Sequence, residues 1–468
     1  MFSYNGVEND KKSERMRSYS IFCCDYHTDY IGVPALGHDL QWHGPCDATC
    51  TEEGYWGSYS TCNREGCVYS SKVDRYVDKA LGHKLKHVEA KAPDCLPGWE
   101  AYDKCQRDGC NYNTKVEIPA NGKHSYVCDV CTTCQGINPV RYTREGDYIY
   151  FGYWPQTCEK DENVIAKLNE IAGKPPLPRD KTNPDNWESH EGTTYMWQKI
   201  VIYNGTKYLG VQMNDYRASG VYSLTSYIMK NGYFTSEVYW FKYEPIKWRI
   251  LTTSGNSAYI MSDIALDSFS IQPNRKSENR DGLFAEYNNS TGVPDGTYAN
   301  NWEYCFLRGW LNETFYNEVF NNLQKEIIKT MKLDNSARSC NPNDNPKYYG
   351  YAENAGKNKF ADQCKDTDDK IFLLSLRDVT TTAYGFKKDV LAEDSARNLK
   401  ASDFAKLHGA PMNTNDKKYV TWYTRSPAPA NGNQGYATFV LDRHAKGAID
   451  SIDLVPDGGV VPALWITL

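Results

Sequence analysis

The sequence predicts an α+β protein with mostly antiparallel sheet, preceded by an array of small Cys/His repeats. Twelve of the 16 cysteines lie before residue 135, so the chain has two unlike parts. The 36 tyrosines and 12 tryptophans favour antiparallel strands, on which large aromatic side chains pack well. These shifts in composition predict an N-terminal extension (residues 1–22), a repeat array (23–140) and a C-terminal domain (141–468).

Charge and hydropathy narrow the range of partners. The net charge is −6 and the isoelectric point about 5.9, whereas nucleic-acid-binding proteins are usually basic, so no nucleic acid is expected. No membrane span is expected, because no apolar stretch reaches ~18 residues. The first residues lack the basic-then-apolar layout of a signal peptide. We therefore expect a cytoplasmic protein if Met1 is the true start, and an extracellular one if an export signal lies upstream.

Two phrases recur in the N-terminal part of the chain. ALGH occurs at residues 35–38 and 80–83, and C-x-R-x-G-C occurs at residues 62–67 and 105–110. A third, compressed copy begins at His124, so that successive histidines are 45 and then 41 residues apart. The predicted repeats span residues 34–78, 79–119 and 120–136.

Each repeat offers a candidate set of one histidine and three cysteines, which stand at matching positions in the first two repeats. One imidazole and three thiolates complete a tetrahedral zinc site, and a unit of ~40 residues is too small for a stable core. We therefore predict about three structural zinc ions. The predicted ligands are His38, Cys50, Cys62 and Cys67; His83, Cys95, Cys105 and Cys110; and His124, Cys128, Cys131 and Cys134. The alternative is a set of disulfides, which the additional Cys46 permits in the first repeat but three cysteines do not permit in the second.

The connectors between repeats carry a resemblance. Residues 33–38 read VPALGH and residues 118–124 read IPANGKH. The array, over about residues 23–135, resembles the Cys/His repeats of large surface proteins from Gram-positive and other gut bacteria. This resemblance implies a zinc-ribbon-like spacer or stalk. Cys24 precedes His38 by 14 residues, as Cys110 precedes His124, which makes Cys23-Cys24 the tail of a degenerate earlier unit. The first residues are then either a remnant of that unit or follow a true start upstream that carries an export signal.

Strand and helix signals alternate after residue 140. Residues 200–211 contain Asn204-Gly205 between two apolar runs, which predicts a hairpin, and residues 248–251 and 258–261 predict another. Apolar spacing predicts a helix over residues 164–171 and a longer, broken one over 307–328. A short buried strand is predicted at residues 371–376, and long loops at 272–300 and 334–368.

Several landmarks of the C-terminal part resemble one family. They are GDYIYFGYWPQT at 146–157, PIKWRIL at 245–251, WYTRSP at 422–427 and PALWI at 462–466. Residues 145–468 thus look like the bacterial domain-of-unknown-function family 6273. That family is similar to C-type-lectin-like and formylglycine-generating-enzyme domains. The resemblance implies a lectin-like mixed fold and two functional classes, an oxidoreductase and a binding domain.

The enzyme interpretation is disfavoured by the residues present. A formylglycine-type oxidase needs a copper-binding cysteine pair near its C-terminal end, and no cysteine follows Cys364. The three histidines of the domain, His190, His408 and His444, have no metal-ligand spacing. We expect no enzyme.

A binding face is predicted on the loops between Trp422 and Asp457, because Tyr, Trp and Arg supply much of the energy of recognition. The candidate ligand-binding residues are Tyr423, Tyr436, Asp442, Arg443 and His444. Trp422 and Trp465 are expected in the core, and Arg425 is expected to anchor a turn.

Smaller candidates are a calcium site and a disulfide. Oxygen ligands for Ca²⁺ are available at Asp362, Asp366, Asp368 and Asp369, but a solvated acidic loop is the favoured interpretation. Cys340 and Cys364 would pair only in an exported protein. Cys158 and Cys305 are expected as small buried side chains.

The sequence therefore predicts a non-enzymatic surface or virion recognition and adhesion protein, which binds a protein or a glycan through its C-terminal domain. The main alternative is an intracellular zinc-binding protein-interaction module. The sequence leaves the ligand and the oligomeric state open.

Overall fold

The computed structural model describes residues 35–173, 175, 188–190, 194–213, 225–235, 237–269, 301–335, 364–389, 392–412, 418–427, 438–441, 449–452 and 458–468. The chain divides into two compact regions, residues 1–123 and 124–468. This division passes through the third predicted repeat, and the bounds of the predicted domains stay a prediction. The fold is mixed, with mostly antiparallel strands and few helices, as the sequence predicts.

The N-terminal region consists of short strands in two equivalent sets. They are β1 (Leu40–His43), β2 (Gly54–Tyr55), β3 (Tyr59–Cys62), β4 (Val77–Asp78), β5 (Leu85–Val88), β6 (Gly98–Trp99), β7 (Tyr102–Cys105) and β8 (Glu117–Ile118), with a 3₁₀ turn at Asp74–Tyr76. In the first repeat β1 pairs with β3 and β2 with β4. In the second, β5 pairs with β7 and β6 with β8. The sequence repeat is therefore also a structural repeat.

These repeats bury little apolar surface. Tyr55 is buried, but Leu36, Trp42 and Trp56 are exposed, with 79%, 68% and 61% of their surfaces accessible. Both hydrophobic clusters of the described residues begin beyond residue 140. Something other than a hydrophobic core must hold residues 35–123 in their folded arrangement.

The C-terminal region is richer in strands. They are β9 (Tyr126–Val127), β10 (Val130–Cys131), β11 (Thr143–Glu145), β12 (Tyr148–Cys158), β13 (Glu188–His190), β14 (Thr194–Tyr203), β15 (Thr206–Met213), β16 (Tyr239–Thr253), β17 (Ser257–Ser262), β18 (Ile264–Ala265), β19 (Asp267–Phe269), β20 (Ile328–Lys329), β21 (Met331–Leu333), β22 (Thr367–Asp369), β23 (Phe372–Leu373), β24 (Lys400–Ala401), β25 (Tyr423–Pro427), β26 (Thr438–Leu441), β27 (Ile449–Ile452), β28 (Gly458–Val460) and β29 (Pro462–Thr467).

One large antiparallel sheet organises this region. Its strands follow the order β13-β14-β15-β16-β17-β29-β20. Strand β12 also pairs with β16, β11 with β12, and β23 with β29. The long strand β16 therefore has β12, β15 and β17 as partners and is the centre of the sheet.

Both predicted hairpins are confirmed. Strands β14 and β15 meet at Asn204-Gly205, where φ is 47° and 74°, as a two-residue turn with two left-handed residues requires. Strands β16 and β17 form the second hairpin. The short strand predicted at residues 371–376 is present as β23.

Helices are short and few among the described residues. They are α1 (Glu162–Ala172), α2 (Thr225–Lys230), α3 (Phe306–Trp310), α4 (Tyr316–Val319), α5 (Asn322–Lys325) and α6 (Asp403–Leu407), with a π-helical turn at Leu311–Phe315 and 3₁₀ turns at Asp378–Thr380 and Thr382–Tyr384.

The sequence signals at the helix ends work as expected. The Asp161 side chain caps α1 at its start, and Gly173 ends it with a φ of 75°. The predicted break in the longer helix lies at Phe320, whose backbone is extended, and Asn321 then caps α5.

A large aromatic core fills the C-terminal region. Trp248 and Trp422 are fully buried, and their indole N–H groups donate to the carbonyls of Phe151 and Arg397. Cys158 and Cys305 are buried, as predicted. Trp465 is only partly buried, and its ring stacks on Tyr259 at 5.0 Å.

Candidate metal centres

Three groups of histidine and cysteine side chains have ligand atoms that all lie within 4.8 Å of one another. They are His38, Cys62 and Cys67; Cys50, His83, Cys105 and Cys110; and His124, Cys131 and Cys134. Each group could hold a metal ion. We call the second one the central group.

The central group has the dimensions of a tetrahedral zinc site. Its Cys50 and Cys105 Sγ atoms are 3.6 Å apart, and the Cys110 Sγ lies 3.4 Å from His83 Nδ1. With Zn–S bonds of ~2.3 Å and Zn–N bonds of ~2.0 Å, tetrahedral geometry places sulfur atoms ~3.8 Å apart and sulfur ~3.5 Å from nitrogen. The two donor pairs are therefore close to the spacing that zinc requires.

The same pair recurs in the other groups. Cys67 Sγ is 3.4 Å from His38 Nδ1, and Cys134 Sγ is 3.4 Å from His124 Nδ1. Each repeat thus brings its histidine to the last cysteine of its own C-terminal turn.

The C-x-R-x-G-C phrase forms this turn. In the second repeat the Cys110 N–H donates to the Arg107 carbonyl at 3.1 Å, and Gly109 has a φ of 76°, which suits glycine. In the first repeat Cys67 donates to Arg64 at 3.0 Å, and Gly66 has a φ of 73°. The turn brings together the two cysteines of each phrase, which are five positions apart.

The arginine of the phrase holds the loop that carries the histidine. The Arg107 guanidinium donates to the carbonyls of Gly82 and Leu81, at 3.1 and 3.3 Å. Arg64 makes the matching bond to the Leu36 carbonyl at 3.1 Å. The ALGH loop is thereby fixed against the cysteine turn.

A tyrosine two positions after the last cysteine covers the histidine. The Tyr112 and His83 rings stack with centroids 4.0 Å apart, and Tyr69 and His38 stack at 4.2 Å. Sequence analysis assigned no role to these tyrosines or to the arginines. Their identical placement in both repeats was the signal that could have found them.

The thiols within a group differ in acidity. The backbone N–H of Arg107 is the main cause that lowers the pKa of Cys105 to about 6. Burial, together with the neighbouring thiols of Cys110 and Cys105, raises the pKa of Cys50 to about 11. A thiolate is therefore ready at Cys105 at neutral pH, while Cys50 releases its proton when a cation binds.

Similar backbone donors act in the other two groups. Burial opposes ionisation of Cys62, yet the N–H of Arg64 and the His38 ring lower its pKa to about 7. The N–H of Cys134 is the largest influence on Cys131 and lowers its pKa to about 5. Each cysteine turn thus favours the thiolate form that a metal ion binds.

The prediction that each metal site takes all of its ligands from one repeat is wrong for the central group. The central group joins His83, Cys105 and Cys110 of the second repeat to Cys50 of the first, and Cys95 is not part of it. The Leu81 N–H donates to the Thr49 carbonyl at 2.8 Å, which places the Cys50 loop beside the chain that leads to His83. The number of ligands could not reveal this exchange. The predicted set and the observed central group each contain one histidine and three cysteines.

In the described part of the array, Cys46 and Cys128 belong to none of the groups. Cys128 was a predicted ligand, but it is partly buried, and burial raises its pKa to about 11. Cys46 is exposed. Of the described cysteines of the array, Cys46, Cys50, Cys62, Cys67, Cys105, Cys110 and Cys128 form no disulfide bond.

The predicted ligand-binding face is only partly covered by the described residues. Tyr436, Asp442, Arg443 and His444 lie outside them. The prediction that Tyr423 lies at the surface is wrong. Its side chain is 1% exposed and packs over Gly458, where an added Cβ would approach the ring to 2.3 Å.

Other polar residues of the C-terminal region serve the fold. Arg425 anchors a turn, as predicted, through bonds to the Leu373 carbonyl at 2.8 Å and the Asp378 carboxylate at 3.1 Å. The Asp369 carboxylate is buried and accepts from Arg308 at 2.7 Å and Trp302 at 2.9 Å. It is therefore no part of a solvated loop or of a calcium site. Asp362 and Cys340 lie outside the described residues.

Comparisons with known proteins place a family in the second half of the chain. Residues 256–468 match the model of a family described as Domain of unknown function (DUF6273). No curated protein and no solved structure matches the chain at the required significance. The expected family resemblance is thus supported for these residues. Within the described residues, no helix is long and apolar enough to span a membrane.

Proposed function

We propose that the chain is a non-enzymatic recognition protein, in which zinc-bound repeats form a stalk and the C-terminal domain binds a protein or a glycan outside the cell. The observation that carries the proposal is the central group. A catalytic zinc ion keeps one position open for water or substrate, whereas a structural one has four protein ligands. Cys50, His83, Cys105 and Cys110 supply four.

The energetics of the repeats agree with a structural metal. Residues 35–123 bury few apolar side chains, and Tyr55 and Cys105 are the larger buried ones among them. Apparent binding energies of structural zinc are on the order of 10–16 kcal/mol near neutral pH, enough to drive the folding of such a unit. Zinc is favoured over harder cations because the donors are thiolates and imidazoles.

The recognition role rests on the resemblance of the C-terminal domain to lectin-like domains. The face proposed to bind comprises Tyr436, Asp442, Arg443 and His444. Tyr423 is withdrawn from it, since its side chain is buried. Asp369 and Arg425 are held in structural hydrogen bonds, which supports binding rather than catalysis.

Metal content tests the stalk. The full chain, purified without added metal, should hold about three zinc ions by elemental analysis. Fewer than one zinc per chain, with disulfides found by mass spectrometry, would overturn this part of the proposal.

A printed array of defined glycans tests recognition. The full chain should bind at least one glycan, and a variant combining Arg443→Ala and His444→Ala should bind it at least tenfold more weakly with an unchanged melting temperature. Equal binding by the variant, or no binding by either, would overturn glycan recognition through this face.

One observation favours the intracellular alternative. Cys46 is an exposed free thiol, and such thiols are more common where the environment is reducing. Antibody labelling of intact and of permeabilised cells that produce the protein separates the two locations. Labelling only after permeabilisation would favour the intracellular interaction module.

A further inference from the structure

We propose that the metal ion of the central group is a link between successive repeats rather than an internal staple of one repeat. This inference rests on the metal-binding part of the proposed function. Three donors, His83, Cys105 and Cys110, come from the second repeat, and the fourth, Cys50, comes from the first. The ion would therefore hold the two repeats together.

Backbone geometry explains why Cys50 faces the next repeat. The chain that leaves β3 leads into β4, and β4 pairs antiparallel with β2. The connector to the second repeat therefore runs back along the first repeat. The Leu81 N–H then donates to the Thr49 carbonyl at 2.8 Å. Thr49 immediately precedes Cys50, and Leu81 lies two residues before His83. The connector thus places His83 of the second repeat beside Cys50 of the first.

The second repeat makes the same pair of backbone contacts. Strand β8 pairs with β6, and the Asn121 N–H donates to the Asp94 carbonyl at 2.8 Å. Asp94 immediately precedes Cys95, as Thr49 precedes Cys50. The Asn121 side chain adds a bond to the Pro93 carbonyl. The backbone contact that brings the end of the connector to the residue before a cysteine therefore recurs in both repeats.

Little else in the described residues could hold the two repeats together. Leu36, Leu81 and Leu85 are exposed, and no hydrophobic cluster includes residues 35–123. Between the repeats, the sulfur atoms of Cys50 and Cys105 approach each other to 3.6 Å. Loss of the ion would therefore separate the two repeats, although within each repeat the C-x-R-x-G-C turn would still hold its two cysteines close together.

Zinc stoichiometry of paired variants of the full chain tests the link. After dialysis against a moderate chelator, Cys50→Ser and His83→Ala should each lower the zinc content by about one ion per chain. Because both residues serve one ion, the double variant should also lose about one. The combination of Cys67→Ser with His83→Ala should lose about two, since those residues belong to different groups.

The result that overturns the inference is the reverse. If the Cys50/His83 double variant loses two ions, each metal is internal to its repeat. Cys46→Ser is the matched control, because Cys46 lies in the same loop region and belongs to no group, and it should lose none. A wild-type chain without zinc would instead contradict the proposed function itself, so the two failures are distinguishable.

Discussion

The repeats and the C-terminal region are stabilised in opposite ways. The C-terminal region buries Trp248, Trp422 and many aliphatic side chains in a continuous core. The repeats leave Trp42 and Trp56 exposed and instead gather histidine and cysteine side chains. The first region folds by removing apolar surface from water, whereas the second is proposed to depend on metal ions held by a few donor atoms. The two should therefore respond differently to every perturbation of metal, core or pH.

Metal removal should produce the largest difference. Excess chelator removes the ions proposed for the three groups, so residues 35–123 should unfold while the C-terminal core stays intact. Hydrogen–deuterium exchange with mass spectrometry should show at least 100-fold faster exchange in β1–β8 and an unchanged rate in β16 and β17. Equal acceleration in both regions would mean that the C-terminal region also depends on metal.

A core tryptophan should matter only in the C-terminal region. Trp422→Ala removes a fully buried ring and its bond to the Arg397 carbonyl, which should cost about 3–5 kcal/mol of unfolding free energy. Denaturant unfolding, followed by circular dichroism, measures the loss. Trp56→Ala, at an exposed position of the repeats, should change it by less than about 0.5 kcal/mol. Comparable losses for the two variants would contradict the contrast.

A buried carboxylate of the C-terminal region, Glu159, should make the free energy of unfolding of this region fall at acidic pH. Burial of Glu159 is outweighed by N–H donors from Asp161 and Lys160 and by Lys242 at 3.0 Å, which lower its pKa to about 2. Because this pKa lies below the unfolded value of ~4.3, the charged form stabilises the fold above pH ~4.3. That contribution is lost as the pH falls towards 2.

Glu159→Gln should therefore destabilise the chain by about 1–3 kcal/mol at pH 7 and by progressively less as the pH falls below ~4. Urea unfolding at pH 7, 4 and 3 measures this trend. The control is Glu170→Gln, which removes an exposed pair with Lys167 and should cost less than ~0.5 kcal/mol at each pH. A loss for Glu159→Gln that does not depend on pH would contradict the role of its charge.

The smallest effect is expected at the ring that covers His83. Tyr112→Leu removes the stack at 4.0 Å and should weaken zinc binding at the central group about fivefold, since aromatic pairs contribute about 1 kcal/mol. Tyr112→Phe keeps the stack and should bind like the wild type. Competition with a chromophoric chelator measures both affinities. An equal loss in both variants would indicate that the phenol group, rather than the ring stack, is responsible.

Local features of the fold were predictable from the sequence. The hairpin at Asn204-Gly205 and the end of α1 at Gly173 follow from backbone preferences of neighbouring residues. The donor types of the metal groups were equally visible, because the spacing of cysteines repeats. These features depend on contacts within a few residues or on composition alone.

The predictions that failed depend on distant contacts. Cys50 joins His83 because a connector pairs back on β2, and no spacing within one repeat reveals that pairing. Tyr423 is buried because Gly458, 35 positions later, leaves room for its ring. Sequence patterns distinguish polar from apolar positions, but they do not show which distant segment covers a given side chain.

The crossed assignment of cysteines changes how the first two groups are connected along the backbone. With Cys50 in the central group, three separate stretches of chain run from one group to the next, residues 39–49, 51–61 and 68–82. With ligands confined to each repeat, only residues 68–82 would do so. If both groups hold a metal ion, cleavage by a protease in any one stretch leaves two intact covalent connections between them. Such redundancy would let an exposed filament keep its continuity after damage that severs a simple string of domains.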